Sequence, residues 1–345
     1  MVVRTAGGDI APDALGVTSM HEHLRVRFGP AWYSLRTPEH ARFRDLEVGL
    51  DTLADTRWNA FTVLDNMTLD DDELLARELS RWRAAGGDAI VDLTSAGLGG
   101  DPEAAARIAE HAGVRVVLGF GHYTHRAHSP EDCAASVDEL AEALDREARL
   151  GVAGSRRLPG TLGEIGMSGP PLDCERRALR AAARVAARYR MSLSIHVDNT
   201  GDYAEEHVAE CAEEGLAPER VICGHMDERL DLDYHRRTLA TGANLGFDTF
   251  GSELYFSGAF HHPSDEQRMI HLARLVEDGH ADRIVLAHDV AVKAHLRSYG
   301  GNGYDHLLER VLPELRRRFG VGQEALDRML VANPRRLLSC LPPAR

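Results

Sequence analysis

A pair of imidazoles at strand spacing stands near the start of the chain: His21 and His23 close a short apolar run, GVTSMHEHL (Gly16–Leu24). Residues i and i+2 of an extended strand point to one side, so both rings face the same way. A lone His-x-His pair is a weak signal. Further donors stand near the ends of other apolar, β-branched runs: Glu164 in GTLGEIGMS, His196 in MSLSIHV, His225 in RVICGHMD and Asp289 in DRIVLAHDV. Any one of these histidines alone reads as a core residue bonded to backbone. Together, six nitrogen and carboxylate donors from five strand ends suit two divalent ions bridged by a carboxylate. With a bridging hydroxide the ligands carry about −3 against about +4 from the ions, a nearly balanced site. With no metal the same groups would be poorly satisfied in a cavity.

The elements that must position these donors follow from the hydrophobic pattern. Eight strand-like runs are legible: Gly16–Leu24, Asp88–Thr94, Val114–Tyr123, Gly160–Ser168, Met191–Val197, Arg220–Asp227, Ala243–Gly251 and Asp282–Val290. From the second onward most are separated by alanine- or leucine-rich segments with helical spacing, such as Asp101–Ala112, Glu131–Leu150 and Leu172–Arg190. That alternation predicts an α/β fold, a (β/α)8 TIM barrel, in which strand ends meet at the active-site mouth. A doubly wound open sheet is the alternative, but HEHLRV lacks the glycine-rich turn such a sheet carries after its first strand. The barrel is distorted by a long insertion between strands one and two, Arg25–Gly87, which holds Trp32, Tyr33, Trp58 and Phe61. Asp70, Asp71 and Asp72 form an acidic cap opening a helix to about Ala85. A β1–α1 insertion belongs over the C-terminal face, as a lid, a subunit contact or a packing excursion. No repeat or linker interrupts residues 1–345, which read as one domain.

Composition narrows the function classes. A formal charge of -14 argues against a nucleic-acid partner, which needs a basic patch. No apolar run approaches the roughly 20 residues of a membrane helix, and MVVRTAGGDIAPD lacks the plan of a signal peptide. Five scattered cysteines with no C-x-x-C pair speak against a disulfide framework and a thiolate zinc site, and point to a reducing, cytoplasmic location. Of the 40 basic residues all but Lys293 are arginine.

The segments MHEHL, GEIGMSG, SIHVDNTG, VICGHMDE, GFDTFG, VLAHDVAVKAHL and GGNGYDHLLERVLPEL…VANPRRLL resemble the phosphotriesterase-related branch of the amidohydrolase superfamily, from about Val3 to Leu338. The resemblance implies a metal-dependent hydrolase with a binuclear centre. On it, His21, His23 and Asp289 would hold the buried ion, His196 and His225 the more exposed one, and Glu164 would bridge both. Phosphotriesterases proper bridge with a carboxylated lysine. Glu164 matches the glutamate-bridged members, and no lysine precedes Lys293 to play that part. The implied reaction is attack of a metal-bridging hydroxide on an ester, lactone or amide carbonyl, with Asp289 accepting the proton and delivering it to the leaving group. The pattern is also similar to N-acyl amino-acid and N-acyl taurine hydrolases, and phosphotriester hydrolysis would be a weak side activity. Zinc is the first expectation for the two ions, with manganese, cobalt or iron as alternatives. A non-catalytic ligand-binding barrel and a metal-assisted lyase or isomerase are the readings from other classes. A homodimer is the family expectation.

Around the donors, Tyr123 ends the third strand where lactonase-like relatives present an aromatic hydroxyl; it reads equally as a packing residue. Asp227 and Asp248 would orient ligands, or in the case of Asp248 cap a loop. His122, His125 and His128 read as solvated loop histidines by default. Lys293 follows Asp289 by four positions, and with Arg297 and Tyr299 it would bind an anionic group of a small substrate. The structural alternative for Lys293 is a salt bridge to a nearby carboxylate.

Overall fold

In the computed structural model, which describes residues 1–32, 38–255 and 260–342, eight strands form one parallel sheet. They are β1 (Thr18–Glu22), β2 (Ala89–Asp92), β3 (Arg115–Phe120), β4 (Thr161–Gly166), β5 (Leu193–His196), β6 (Val221–Gly224), β7 (Asn244–Phe247) and β8 (Ile284–Leu286). Each strand neighbours the next in sequence, which excludes the doubly wound order and defines a (β/α)8 barrel. The backbone N–H of Asp289 donates to the carbonyl of His21 at 3.1 Å, so the end of β8 closes onto β1. The observed strands are shorter than the apolar runs, because several runs continue into the loops of the mouth.

Helices α1 (Asp72–Ala84), α2 (Pro102–Ala112), α3 (Val137–Leu150), α4 (Asp173–Tyr189), α5 (Ala204–Glu213), α6 (Leu232–Ala240), α7 (Asp265–Glu277) and α8 (Leu312–Phe319) alternate with the strands. Their ends are set by local chemistry. Asp71 accepts from the N–H of Leu74 at 3.0 Å to start α1, and Asp101 caps α2, which Gly113 ends in the left-handed region at φ 67°. The segment expected as one helix from Glu131 to Leu150 is two. Ala135 is extended between Pro130–Ala134 and α3, and Ser129 and Ser136 each build a capping box for the piece that follows.

The barrel interior is filled from several strands by Met20, Val91, Val117, Ile222 and Val285, closed at its foot by Leu15, Leu337 and Leu338. An N-terminal hairpin (Val2–Thr5 with Gly8–Ile10) pairs with Ser339–Cys340 there. This packed plug leaves the opposite, C-terminal end for polar groups. The insertion covers that end, as its position after β1 predicts. Trp58 stacks on Tyr255 of the β7 loop at 4.3 Å between ring centroids, and Trp32 lies 5.2 Å from Tyr123 beyond β3. Tyr33 lies outside the described residues. Among the described residues no helix is long and apolar enough to cross a membrane.

Candidate metal centre

Backbone irregularities aim the donors. The register of β1 against β2 shifts between Ser19 and Glu22, and that of β4 against β5 between Leu162 and Ile165. His21 and Glu164 therefore sit in bulge-like breaks, which turn a side chain away from its regular direction. His225 and Asp289, just past β6 and β8, occupy the left-handed region at φ 56° and 52°. Non-glycine residues rarely adopt that conformation, and it persists where surrounding contacts hold it. Glu22 supplies such contacts for Asp289: its Oε1 accepts from Ser19 Oγ and His288 Nδ1, both at 2.5 Å, and its Oε2 accepts from the N–H of Val290 at 3.1 Å.

The structure brings all six expected donors together. Glu164, 1% exposed, divides its two oxygens between two histidine pairs. Oε1 lies 2.8 Å from His225 Nε2 and 3.0 Å from His196 Nδ1; Oε2 lies 3.6 Å from His21 Nε2 and 4.0 Å from His23 Nε2. Asp289 Oδ1 is 3.1 Å from His23 Nε2 and 3.6 Å from His21 Nε2. Two triads, His21–His23–Glu164 and Glu164–His196–His225, share the one carboxylate.

Outer partners fix the tautomers. Asp248 takes His21 Nδ1 at 3.0 Å and His225 Nδ1 at 3.1 Å. Thr94 Oγ1 donates to Asp92 at 2.6 Å and so accepts from His23 Nδ1 at 2.9 Å. These three rings therefore turn Nε2 lone pairs toward carboxylate oxygens. Acceptor facing acceptor is repulsive unless a proton or cation lies between. His21 Nε2 is buried with no hydrogen-bond partner. Divalent cations suit this donor set: borderline nitrogen and oxygen ligands, each ring held from behind.

The electrostatics agree. Burial alone would disfavour the imidazolium forms, yet Glu164 and Asp248 raise the pKa of His21, and the same two carboxylates that of His225, well above the ordinary value. Burial likewise opposes ionisation of Glu164, but His21 and His196 hold it well below the carboxylate range, and the neighbouring histidines do the same for Asp289. The cluster is a field for positive charge, which protons and metal ions compete to supply.

The other expected residues divide. Tyr123 Oη lies 3.1 Å from His196 Nδ1. Burial and the nearby Glu164 and Asp289 push its phenol pKa well up, so it stays protonated. Asp227 accepts from the N–H groups of Asp248 and Thr249 at 3.2 and 3.0 Å and pairs with buried Arg268, holding Asp248 in turn. Lys293 and Arg297, expected at a substrate, meet carboxylates of the fold instead. Lys293 Nζ is 2.5 Å from Asp65 Oδ1, and Arg297 pairs with Asp305 at 3.1 Å. The turns after β8 (Lys293–His295 and Arg297–Tyr299) fold back on the insertion and α1, which supply Asp65, Asn66 and Glu78 as partners. Sequence reading missed Glu22, masked by the imidazoles on either side, and the Asp92–Thr94 brace, which a DLT triplet does not announce. It also missed Arg126, whose guanidinium stands 5.7 Å over the Trp32 ring at the mouth.

A parallel barrel with a buried imidazole–carboxylate cluster at its C-terminal mouth has the architecture of the amidohydrolase superfamily. Within it, the chain belongs to the phosphotriesterase family, whose sequence pattern matches residues 1–338. N-acetyltaurine hydrolases from Bos taurus and Homo sapiens are each 32% identical over 342 residues, covering 98% of this chain and 97% of theirs. A resiniferatoxin-binding protein from Rhodobacter sphaeroides is 34% identical with a TM-score of 0.94, covering 98% of this chain and 95% of that one. A phosphotriesterase homology protein from Escherichia coli, solved with phosphate in its active site, is 25% identical with a TM-score of 0.77, over 95% of this chain and 100% of that one. The chain is a hydrolase of a metal-dependent family.

Proposed function

We propose that this hydrolase cleaves the amide bond of small N-acyl amino acids or N-acyl aminosulfonates, N-acetyltaurine among them, and that His21, His23, His196, His225 and Asp289 would hold two divalent cations with Glu164 common to both. The division of the Glu164 oxygens between His21–His23 and His196–His225 carries the reading. The N-acetyltaurine hydrolases, similar along almost the whole chain, support the substrate class. Zinc is the first choice of ion, with manganese, cobalt and iron as alternatives, and residues 1–345 act as one unit.

Paired divalent cations supply Lewis-acid polarisation of a carbonyl and lower the pKa of water. The chain's residues do the rest. Asp289, with a side chain 20% exposed against 2% for Glu164, is the cluster's carboxylate open to the mouth. It takes a proton from the attacking water and returns it to the departing amine nitrogen, so that water and amide become acid and amine. Tyr123 offers a protonated phenol beside His196, a donor for the carbonyl oxygen as charge develops there. Arg126, exposed at the mouth, faces the substrate's sulfonate or carboxylate. Lys293 and Arg297 hold the loop after β8.

Turnover of N-acetyltaurine, N-acetyl amino acids, lactones and a phosphotriester, each followed with metal content, tests this. Amide cleavage should exceed phosphotriester cleavage, and Arg126→Gln should raise KM for anionic amides while sparing neutral ones. A protein holding two ions that opens lactones but leaves every amide intact would overturn it.

A further inference from the structure

The loop after β3 and the start of α4 bring together three side chains with no part in the chemistry above. A ring nitrogen of His128 and the Sγ atoms of Cys133 and Cys174 lie within 4.8 Å of one another. Nothing in the spacing of these residues announces the group, since Cys174 comes from the next βα unit. The edges of a tetrahedral zinc site with two sulfurs and one nitrogen are about 3.5–3.8 Å, so a small contraction completes it.

The histidine is set for ligation. His128 Nε2 donates to the carbonyl of Tyr123 at 2.7 Å, which leaves the lone pair on Nδ1. That Nδ1 is buried and has no hydrogen-bond partner. A ligating histidine characteristically gives its other N–H to a backbone carbonyl in this way. The scaffold is tied together independently: Arg177, on α4, donates to the carbonyls of Cys133 and Ala135 at 2.6 and 2.9 Å. Both thiols are free and half-buried, within reach of solvent ions.

We infer that His128, Cys133 and Cys174 form a second metal site, separate from the Glu164 centre, for a soft d10 cation of the zinc class. Two thiolates and a neutral imidazole balance a dication and leave a fourth position for water. The bound ion would clamp the β3 loop to α4. Because His128 holds the carbonyl of Tyr123, whose hydroxyl meets His196, the clamp also braces the mouth.

Cobalt(II) reconstitution of the full chain tests this, because the Glu164 centre offers only nitrogen and oxygen donors. A thiolate-to-cobalt charge-transfer band in the near ultraviolet is expected, lost with about one metal equivalent in the Cys133→Ser/Cys174→Ser double variant. The wild-type protein gives a second readout that needs no variant. Zinc should protect Cys133 and Cys174 from alkylation, mapped by mass spectrometry, and a chelator should expose both. Absence of the band, equal alkylation with and without zinc, or a Cys133–Cys174 disulfide in protein purified without reductant would each overturn the site.

Discussion

Asp248 holds His21 from behind: its Oδ2 lies 3.0 Å from Nδ1 and so decides which ring nitrogen faces the centre. The other oxygen does the same for His225. Asp248→Asn replaces one acceptor by an amide donor, which forces one of the two rings into the tautomer with Nε2 protonated. Metal affinity should fall about 10–100-fold although Asp248 meets the rings at Nδ1, on the side away from Glu164. Competitive chelation measures this directly. Unchanged affinity in a folded variant would show that the tautomer is set elsewhere.

With Glu164 as the carboxylate shared by the two donor triads, the centre should be independent of carbon dioxide. Metal-free protein reconstituted in bicarbonate-free buffer should recover full activity, since the chain's single lysine is paired with Asp65. Glu164→Gln should lose both ions, because both donor triads depend on that carboxylate. A bicarbonate requirement, or two ions retained by the variant, would contradict the bridging role.

The Lys293–Asp65 pair ties the turn after β8 to the insertion. Its side chains are 19% and 33% exposed, so the coupling is larger than that of an open surface pair. A double-mutant cycle with Lys293→Met and Asp65→Asn should give a coupling of about 1 kcal/mol in thermal or denaturant unfolding. Additive effects, with a rise in KM confined to Lys293→Met, would return Lys293 to the substrate.

Four buried histidines outside the expected ligand set should weaken the fold in acid. Burial, the largest cause in each, lowers His207, His271 and His295 to about 4 and His235 to about 3. The unfolded chain, with histidines near 6.5, binds more protons than the folded one between about pH 6.5 and 4. Stability should therefore fall as pH drops through that window, by up to about 1.4 kcal/mol per pH unit for each histidine. His207, with neither ring nitrogen partnered, is the cleanest probe. His207→Leu should gain more stability at pH 5 than at pH 7.5; an equal change at both would remove His207 from the acid limb.

Much of this protein is legible in its sequence. Eight apolar runs alternating with helical segments are enough for the barrel, because both periodicities are local and the connection rules are strict. The donors could be named for a related reason: each lies toward or just past the C-terminal end of a strand, and all strand ends of a parallel barrel converge. Their aim was not legible. Bulges at His21 and Glu164 and left-handed turns at His225 and Asp289 depend on contacts with other strands. Nor was the choice of partner for Lys293. Its carboxylate comes from Asp65, 228 residues earlier in the chain, and only folding of the insertion over the mouth brings the two together. The same holds for Cys133 and Cys174, which look scattered in one dimension and meet because α4 starts beneath the β3 loop. Residue type and period are local properties, whereas the partner of a charge or a thiol is set by chain closure over long loops.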